Sequence, residues 1–203
     1  MAYRRTERMS ERLAGNRERI LLATRKLVAQ DGFRHAQIAA VAAEAGVSTG
    51  MIYRYFPSKA ELFVEVLTAA VDHEITILEH VIAQHEGARE QLDAAIASFV
   101  RRAFSGPNLA YAFIAEPVDP EVDAERIRGR KRFGQIFKTI LKRGVARGEW
   151  PKQNLDAGAA CIVGAFTEAL VGPLGRSRKS VRDKERWVSA ICAFCSRAVG
   201  TMD

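Results

Sequence analysis

The sequence has few cysteines, and their number and spacing argue against two kinds of site. There are three cysteines in 203 residues, an odd number that does not suit the paired disulfides of a small secreted protein. Cys192 and Cys195 lie three positions apart in a strongly helical segment, and no second pair follows to complete a zinc site. We therefore expect reduced, packed thiols and no metal ion.

Long apolar runs are also scarce, which argues against secretion and against a membrane span. Residues 1–19 begin with charged residues but lack the apolar run that would follow in a signal peptide. The most apolar window, residues 157–175, is interrupted by Glu168 and Pro173 and is marginal in length for a span. We interpret this window as a buried helix and expect a cytoplasmic protein.

Signals for strands and for catalysis are missing as well. No convincing alternation of apolar and polar residues predicts a β-strand, so the predicted fold is all-α. The sequence has no G-x-x-x-x-G-K phosphate loop, and His73 and His80 lie one heptad apart without a clear third metal ligand. These observations favour a protein that is not an enzyme and that needs no cofactor.

Positive charge is in excess, and most of the excess lies near the N-terminus. The chain has 31 Lys and Arg against 24 Asp and Glu, for a net charge of +7. Residues 1–59 contain 11 basic and 5 acidic residues, whereas residues 60–203 contain 20 and 19. This distribution favours a polyanionic partner for the first third of the chain.

Periodic apolar positions predict short helices within this basic third. An apolar face from Ile20 to Val28 marks the first helix, which Gly32 ends. A second helix begins near Ile38 and ends at Gly46 after about two and a half turns. Both predicted ends use glycine because a left-handed backbone conformation at that position suits a residue without a Cβ.

The segment after Gly46 has the spacing of a helix-turn-helix motif. Ser48 is predicted to cap a third helix that Pro57 stops. A short helix, a three-residue turn and another short helix match the motif whose second helix enters the DNA major groove. The residues expected to face the groove or its phosphate walls are Thr49, Gly50, Met51, Tyr53 and Arg54.

Lys59 lies at a position where its positive charge is unfavourable unless a phosphate binds there. Ser58 and Glu61 form an S-x-x-E capping box that begins a long amphipathic helix, so Lys59 lies in its first turn. A cation there opposes the helix dipole, at a cost of a few tenths of a kcal/mol. A DNA phosphate held by free N–H groups, Lys59 and the Tyr53 phenol would reverse that sign. A solvated lysine beside packed aromatic residues is the alternative.

The rest of the chain reads as further helices. The long helix is predicted to run to about His85 and to end at Gly87. Further helix starts are predicted near Gln91, Pro107, Pro120, Asn154 and Ser180. Loops are predicted at residues 86–90, 148–153 and 173–180.

The stretch VAAEAGVSTGMIYRYFPSKAELF, residues 41–63, resembles the DNA-binding signature of the tetracycline-repressor-like (TetR) family of bacterial regulators. The resemblance covers residues 16–65. Ala36 and Gln37 stand where family members usually begin the second helix with Thr-Ser or Thr-Thr, although Gln37 is still able to reach a phosphate. With this resemblance, the DNA-binding candidates are Gln37, Ser48, Thr49, Gly50, Met51, Tyr53, Arg54, Tyr55 and Lys59.

The resemblance implies two domains and a ligand-responsive repressor. Residues 1–60 would form the DNA-binding domain, and residues 1–15 are predicted to be a flexible basic leader, with a groove-reading arm as the alternative. Residues 61–203 would bind a small effector and form a homodimer on a palindromic operator. The dimer-interface candidates, on two helices near 155–172 and 181–199, are Gly164, Trp187, Val188, Ile191, Phe194 and Cys195. These faces would alternatively belong to the monomer's own core.

Aromatic residues in the second domain mark the expected effector site. An apolar cleft with a few polar groups favours a hydrophobic or amphipathic effector, with a donor or cationic group to meet the two glutamates. The ligand-binding candidates are Phe99, Phe104, Tyr111, Phe113, Glu116, Phe133, Phe137, Phe166 and Glu168. A well-filled body without a cavity would instead favour a DNA-binding activator or architectural protein, and an all-α enzyme is the remaining alternative.

Overall fold

A computed structural model describes residues 2–176 and 181–200, and every regular element within them is an α-helix. This confirms the predicted all-α fold. The helices are α1 (Ala2–Asp31), α2 (Ile38–Ala45), α3 (Thr49–Tyr55), α4 (Lys59–Ala83), α5 (Ala88–Ser105), α6 (Pro107–Ile114), α7 (Pro120–Ala146), α8 (Leu155–Arg176) and α9 (Val181–Ala198).

Helix α1 is longer than predicted. It begins at Ala2 and runs for 30 residues, so the backbone of the basic leader is helical and continuous with the first predicted helix. Residues 2–15 therefore have a helical backbone, and the flexibility of this leader stays a prediction. Between Ala2 and Leu13 the sequence has no glycine or proline and is rich in arginine and glutamate, which have high helix propensity.

The C-terminal ends of α1 and α2 and the starts of α3 and α4 follow the predicted local signals. Gly32 and Gly46 have φ angles of +80° and +64°, the left-handed conformation expected where α1 and α2 end. The Ser48 hydroxyl accepts a hydrogen bond from the Met51 N–H at 3.1 Å, and the Ser58 hydroxyl accepts one from the Glu61 N–H at 3.1 Å. Both predicted serine caps are confirmed.

Helices α6, α7 and α8 begin where they were predicted, but three other boundaries differ: α4 ends at Ala83, short of His85, α5 begins at Ala88, inside the loop predicted at 86–90, and α8 ends later than predicted. Pro107 and Pro120 are the first residues of α6 and α7, and the Asn154 side chain accepts hydrogen bonds from the Asp156 and Ala157 N–H groups at the start of α8. Helix α8 continues through Pro173 to Arg176, so the loop predicted at 173–180 begins too early. Leu174 is buried and holds this last turn against the core. The predicted cap at Ser180 lies outside the described residues.

Buried side chains form a core that runs from α1 to α9. It includes Ile20 and Ile52 near the N-terminus and Leu92, Phe137 and Phe166 further along the chain. Helix α7 packs against α4 and α8, while α9 packs against α5. Among the described helices, α8 is long and apolar enough to cross a membrane by length and composition, and 39% of its apolar window is buried within the chain.

Candidate nucleic-acid interface and ligand pocket

One side of helix α3 is buried in the core, and the other side is exposed to solvent. Ile52 is fully buried, whereas Tyr53 is 50% exposed and Thr49, Gly50 and Arg54 are exposed. Met51 is half-buried. One face of the helix is therefore fixed in the core, and the other presents hydroxyl, thioether, phenol and guanidinium groups to an incoming surface.

The turn that positions α3 is fixed by an arginine that sequence reasoning missed. The Arg19 guanidinium, on α1, donates to the Ala45 carbonyl at 2.6 Å and to the Gly46 carbonyl at 3.2 Å. A cation at the C-terminal end of α2 is favourable because the last carbonyls there lack helical partners and carry partial negative charge. Local sequence patterns do not predict this contact, because Arg19 lies 26 residues before Ala45.

Lys59 and Gln37 meet although they belong to different elements. The Lys59 ammonium donates to the Gln37 amide oxygen at 3.3 Å and lies 5.1 Å from the centroid of the Phe63 ring. The Gln37 amide nitrogen donates in turn to the Arg34 carbonyl at 2.7 Å. In the part of the chain that the structure describes, no carboxylate pairs with Lys59. Its charge remains available to an anion, and the phosphate clamp stays a prediction.

Tyr55 does not belong with the exposed residues of α3. Its side chain packs beside the core, its ring centroid lies 6.5 Å from that of Phe56, and its hydroxyl is buried without a hydrogen-bond partner among the described residues. The expectation that Tyr55 contacts DNA was therefore wrong. The helical period places it on the same side as Ile52, three residues earlier, and that side faces the core.

A cavity of about 330 Å³ lies between α1, α4, α5, α6, α7 and α8. Its walls are mainly apolar, and three of the predicted aromatic residues, Phe99, Phe113 and Phe133, line it. The Phe99 and Phe133 ring centroids are 5.6 Å apart in an edge-to-face arrangement. The close approach of α7 to α4 depends on Gly129, where a Cβ would lie 3.0 Å from a Val71 methyl group.

The remaining predicted aromatic residues do not line this cavity. Phe137 and Phe166 are fully buried with ring centroids 5.4 Å apart, and Phe104 is 5% exposed. Tyr111 lines a separate, more polar groove of about 450 Å³ beside the α1–α2 turn. These ligand-binding predictions were wrong because helical spacing does not distinguish an aromatic residue in a core from one at a cavity wall.

The polar groups around the cavity are mostly cationic. Arg25, Arg102, Arg126 and Arg130 line it with His73, against a single carboxylate, Glu74. Arg102 pairs with Glu74 at 2.7 Å. Arg25 and Arg130 are exposed residues that pair with no carboxylate within the described part of the chain, and Arg130 also donates to the Ile114 carbonyl at 3.2 Å.

Arg126 is the most enclosed of these arginines and has a structural task. It donates to the Phe113 carbonyl at 2.9 Å and to the Glu116 carbonyl at 2.8 Å, beyond its ion pair with Asp123 at 2.9 Å. Burial lowers the pKa of Arg126, against the opposing effect of the Asp123 carboxylate. The side chain thus holds the C-terminal end of α6 together while it forms part of the cavity wall.

The two glutamates that were predicted to bind the effector do not line the cavity. Glu116 is 8% exposed, and its carboxylate accepts hydrogen bonds from the Phe33 and Arg34 N–H groups at 2.9 and 3.1 Å. Glu168 is exposed on α8, on the side away from buried Phe166. Both ligand-binding predictions were wrong, and with them the expectation of a cationic group on the effector.

Half of the predicted dimer residues belong to the chain's own core. Val188, Ile191 and Cys195 are 3%, 6% and 1% exposed on the side of α9 that packs against α5. Their assignment to a dimer interface was therefore wrong. Phe194 is 56% exposed, Gly164 is exposed on α8 and Trp187 is half-buried. The free face of α9 is rotated from the predicted one by roughly one residue position, whereas Gly164 on α8 is exposed as predicted.

The cysteines are free thiols in the described structure. Burial and the nearby Asp93 carboxylate raise the pKa of Cys192 and of Cys195 to about 11. These two thiols are accordingly protonated and unreactive at neutral pH, because the thiolate is the nucleophile. Among the described residues, no group of three or more His, Cys, Asp or Glu side chains is placed to hold a metal ion.

The sequence is similar to one known protein family over its N-terminal part and to individual proteins over most of its length. Residues 20–66 match the model of the bacterial regulatory proteins of the tetR family. The chain is 26% identical to the fatty acid metabolism regulator protein of Bacillus subtilis (strain 168) over 160 residues, which cover 74% of this chain and 79% of that protein. It is 24% identical to the nucleoid occlusion factor SlmA of Marinomonas sp. (strain MWYL1) over 184 residues, or 88% and 92% of the two chains.

A solved structure shares the fold over nearly the whole chain. The transcriptional regulator FadR from Bacillus subtilis, crystallised in complex with stearoyl-CoA, matches with a TM-score of 0.78 at 21% identity. The match covers 90% of this chain and 98% of that one. At this identity the similarity shows the fold, and the function has to be argued from the residues.

Proposed function

We propose that this chain is a DNA-binding transcriptional regulator of the tetR type, whose family model residues 20–66 match, and that it is a homodimeric repressor. In this proposal it acts in the cytoplasm on a palindromic operator and is released by an anionic, amphipathic small molecule. Residues 1–60 serve as the DNA-binding domain, and residues 61–203 bind the effector and form the dimer.

Recognition of DNA is assigned to α3 and to the residues that flank it. Thr49, Met51 and Arg54 lie on the free side of α3 and are proposed to contact base edges in the major groove. Tyr53 and Lys59 are proposed to contact phosphates on either side. Gly50 permits close approach to the groove, while Gln37 orients Lys59 and the Ser48 hydroxyl keeps its cap and is able to donate to a phosphate.

The composition of the cavity wall is the observation that carries the ligand proposal. An apolar chain is expected to fill the space beside Phe99, Phe113 and Phe133, because burial of apolar surface drives such binding. An anionic group is expected at Arg25 and Arg130, whose charges lie at the same cavity. A long-chain fatty acid or its coenzyme A thioester has both features.

The similar FadR structure contains a ligand of this chemistry, stearoyl-CoA. A cavity of about 330 Å³ lies at the small end of the usual range for ligand pockets. We therefore propose that the apolar chain occupies the cavity and that a large anionic head group remains at its edge.

Dimer formation is assigned to the free sides of α8 and α9. Gly164 on α8 allows close backbone approach, and Phe194 on α9 presents a large apolar side chain to solvent in the single chain. Trp187, which is half-buried, extends the same apolar surface. Two copies of these helices would form a four-helix interface, in which burial of Phe194 is the main apolar gain.

An architectural role without a ligand is the alternative, and the cavity argues against it. The Marinomonas relative is named a nucleoid occlusion factor and matches 88% of this chain. A protein that only binds DNA has no need of an apolar cavity surrounded by arginines. The presence of that cavity favours the ligand-responsive function.

The proposal is tested first by selecting duplexes from a random library with the full-length protein. The expected product is a palindrome whose half-sites are spaced about one DNA turn apart, because two symmetry-related α3 helices read successive major grooves. Selection of unrelated sequences with no dyad would contradict the proposal.

The ligand class is tested by thermal shift with amphiphiles of one chain length and different charge. Stearoyl-CoA and stearate are expected to raise the Tm, because ligands that bind the folded state stabilise it. Octadecyltrimethylammonium, with the same chain and a cationic head, is the control and is expected to give no stabilisation. Arg130→Gln should weaken the response to the anions, whereas Lys131→Gln, an exposed neighbour on α7 outside the cavity, should not.

A further inference from the structure

Glu116 is a buried carboxylate that holds the turn between α1 and α2. Its two oxygens accept hydrogen bonds from the Phe33 and Arg34 N–H groups at 2.9 and 3.1 Å, across 83 and 82 residues of sequence. A Cβ at Gly32, where φ is +80°, would lie 2.6 Å from a Glu116 oxygen, so the turn approaches the carboxylate as closely as a glycine permits. Burying a carboxylate is costly unless it is hydrogen-bonded, and here backbone donors satisfy it.

Two arginines of the cavity wall bind backbone carbonyls at the end of α6, and one of them binds the carbonyl of Glu116 itself. Arg126 donates to the Glu116 carbonyl at 2.8 Å and to the Phe113 carbonyl at 2.9 Å, and Arg130 donates to the Ile114 carbonyl at 3.2 Å. Both arginines line the cavity. An anion bound there competes with these carbonyls for guanidinium hydrogens, and any resulting shift at the end of α6 moves Glu116.

Two hydrogen bonds through Gln37 connect the α1–α2 turn to Lys59. Arg34, whose N–H donates to Glu116, accepts a hydrogen bond from the Gln37 amide at 2.7 Å through its carbonyl. The Gln37 amide oxygen accepts from the Lys59 ammonium at 3.3 Å. A displacement of residues 33–34 therefore changes the position of the cation assigned to a DNA phosphate.

We propose that Glu116 is a positioning residue that couples the ligand cavity to operator binding through the α1–α2 turn. The inference rests on the proposed function, and it names where the two sites communicate. Spatial continuity alone does not demonstrate coupling, so the test has to measure an interaction between a change in the cavity and a change at Glu116.

The chain contains a matched control for the chemistry of this contact. The Glu149 carboxylate accepts hydrogen bonds from the Ala88 and Arg89 N–H groups at 3.2 and 3.1 Å, at the start of α5. It accepts the same kind of backbone hydrogen bonds as Glu116 and also pairs with Arg147 at 3.8 Å, but it lies beside neither the α1–α2 turn nor the cavity. Glu149→Gln thus removes the same kind of contact without touching the proposed route.

The first experiment measures amide hydrogen exchange in the free, full-length protein, with neither DNA nor ligand. Ala110→Phe places a large side chain in the cavity and serves as a stand-in for a ligand, with Ala110→Leu as a milder version. Either change is expected to speed exchange at residues 33–37 by about fivefold or more. In a Glu116→Gln background, exchange there should already be fast, and the cavity substitution should add nothing. In a Glu149→Gln background, the full effect of the cavity substitution should remain.

The second experiment applies the same double-mutant cycle to affinity for the selected operator. Ala110→Phe is expected to weaken operator binding about fivefold or more in the wild-type and Glu149→Gln backgrounds, and much less in Glu116→Gln. Independent, additive effects of the Ala110 and Glu116 substitutions in both experiments would overturn the proposal. If the wild-type protein selects no duplex, the proposed function fails, and the exchange experiment still decides whether Glu116 couples the cavity to the turn.

Discussion

Two cations, one on α3 and one at the start of α4, differ from cations of α7 in what they contact. Arg54 and Lys59 pair with no carboxylate within the described residues. On α7, by contrast, Arg128 pairs with Glu125 at 2.6 Å and Lys138 with Asp156 at 2.6 Å. Arg17 and Lys26 on α1 pair with Glu65 and Glu44. Arg54 and Lys59 are therefore available to a polyanion, whereas Arg128 and Lys138 are each neutralised by a carboxylate of the chain.

This difference separates two uses of positive charge in one small protein. An unpaired surface cation attracts phosphate over a distance set by ionic strength, while a paired one contributes little to stability and little to the outer field. Arg25 and Arg130 are the exceptions among the cavity residues, since both are exposed residues that pair with no carboxylate within the described part of the chain. In the proposed function, an anionic effector and an anionic operator would be attracted by the same kind of group at two separate places.

The largest expected effect comes from adding a cation to the exposed side of α9. Phe194→Arg should dissociate the dimer at a cost of several kcal/mol, because a charge would have to be desolvated at the interface. Sedimentation equilibrium measures the association, and circular dichroism checks that the monomer stays folded.

Ile191→Ala is the control for Phe194→Arg. Ile191 is 6% exposed inside the single chain, so its truncation should cost about 2–5 kcal/mol of unfolding free energy through a cavity. A Phe194→Arg protein that still sediments as a dimer would refute the interface at α8 and α9.

Removing a free cation from the N-terminal region should have the next largest effect. Lys59→Ala is expected to weaken binding to all duplexes and to reduce the slope of log affinity against log salt by about one, since one phosphate contact is lost. Fluorescence anisotropy over a range of salt concentrations measures both quantities. An exposed lysine on α7, Lys142, provides the control, because Lys142→Ala should leave the slope unchanged.

Replacing a cation that faces the groove should change the preference for operator sequence more than the overall affinity for DNA. Arg54→Ala is expected to reduce discrimination at one operator position by about 1–3 kcal/mol, because a guanidinium reads base edges in the major groove. Binding to a panel of single-base operator variants measures this. A uniform loss across the panel would assign Arg54 to the phosphates instead.

The smallest effect is expected for a paired cation. Lys138→Ala removes the contact with Asp156, whose side chain is 74% exposed, and should cost no more than about 1 kcal/mol of unfolding free energy. Chemical denaturation measures that cost, and operator affinity should remain at the wild-type value. A large loss of operator affinity would show that the later helices contribute charge to DNA binding after all.

Local features of the fold were predictable because each is encoded within a few residues. Gly46, Ser48 and Ser58 act through turns and caps that involve neighbours at most four positions away, and Pro107 and Pro120 begin helices for the same reason. Helix α3 could therefore be located from the sequence, together with the exposed positions of Thr49, Tyr53 and Arg54, although Tyr55 was placed on the wrong side.

Features that depend on packing between distant segments were not predictable in this way. Glu116 appeared as an apolar-flanked glutamate, but its partners are backbone groups 82 and 83 residues away. Val188 and Ile191 formed part of a wide apolar stripe, and only the docking of α9 on α5 decides which side of it is buried. The cavity arginines on α7 were missed because their charge gives no indication of which side of a long helix meets the cavity.

The most direct test of ligand-responsive repression is the affinity of the wild-type protein for its selected operator at one fixed salt concentration, with and without saturating stearoyl-CoA. Octadecyltrimethylammonium at the same concentration serves as the control for detergency. The predicted result is a loss of operator affinity of about tenfold or more with stearoyl-CoA, equivalent to about 1.4 kcal/mol of preference for the released state, and none with the control. Equal operator affinity in the presence and absence of a stearoyl-CoA that demonstrably binds the protein would contradict it.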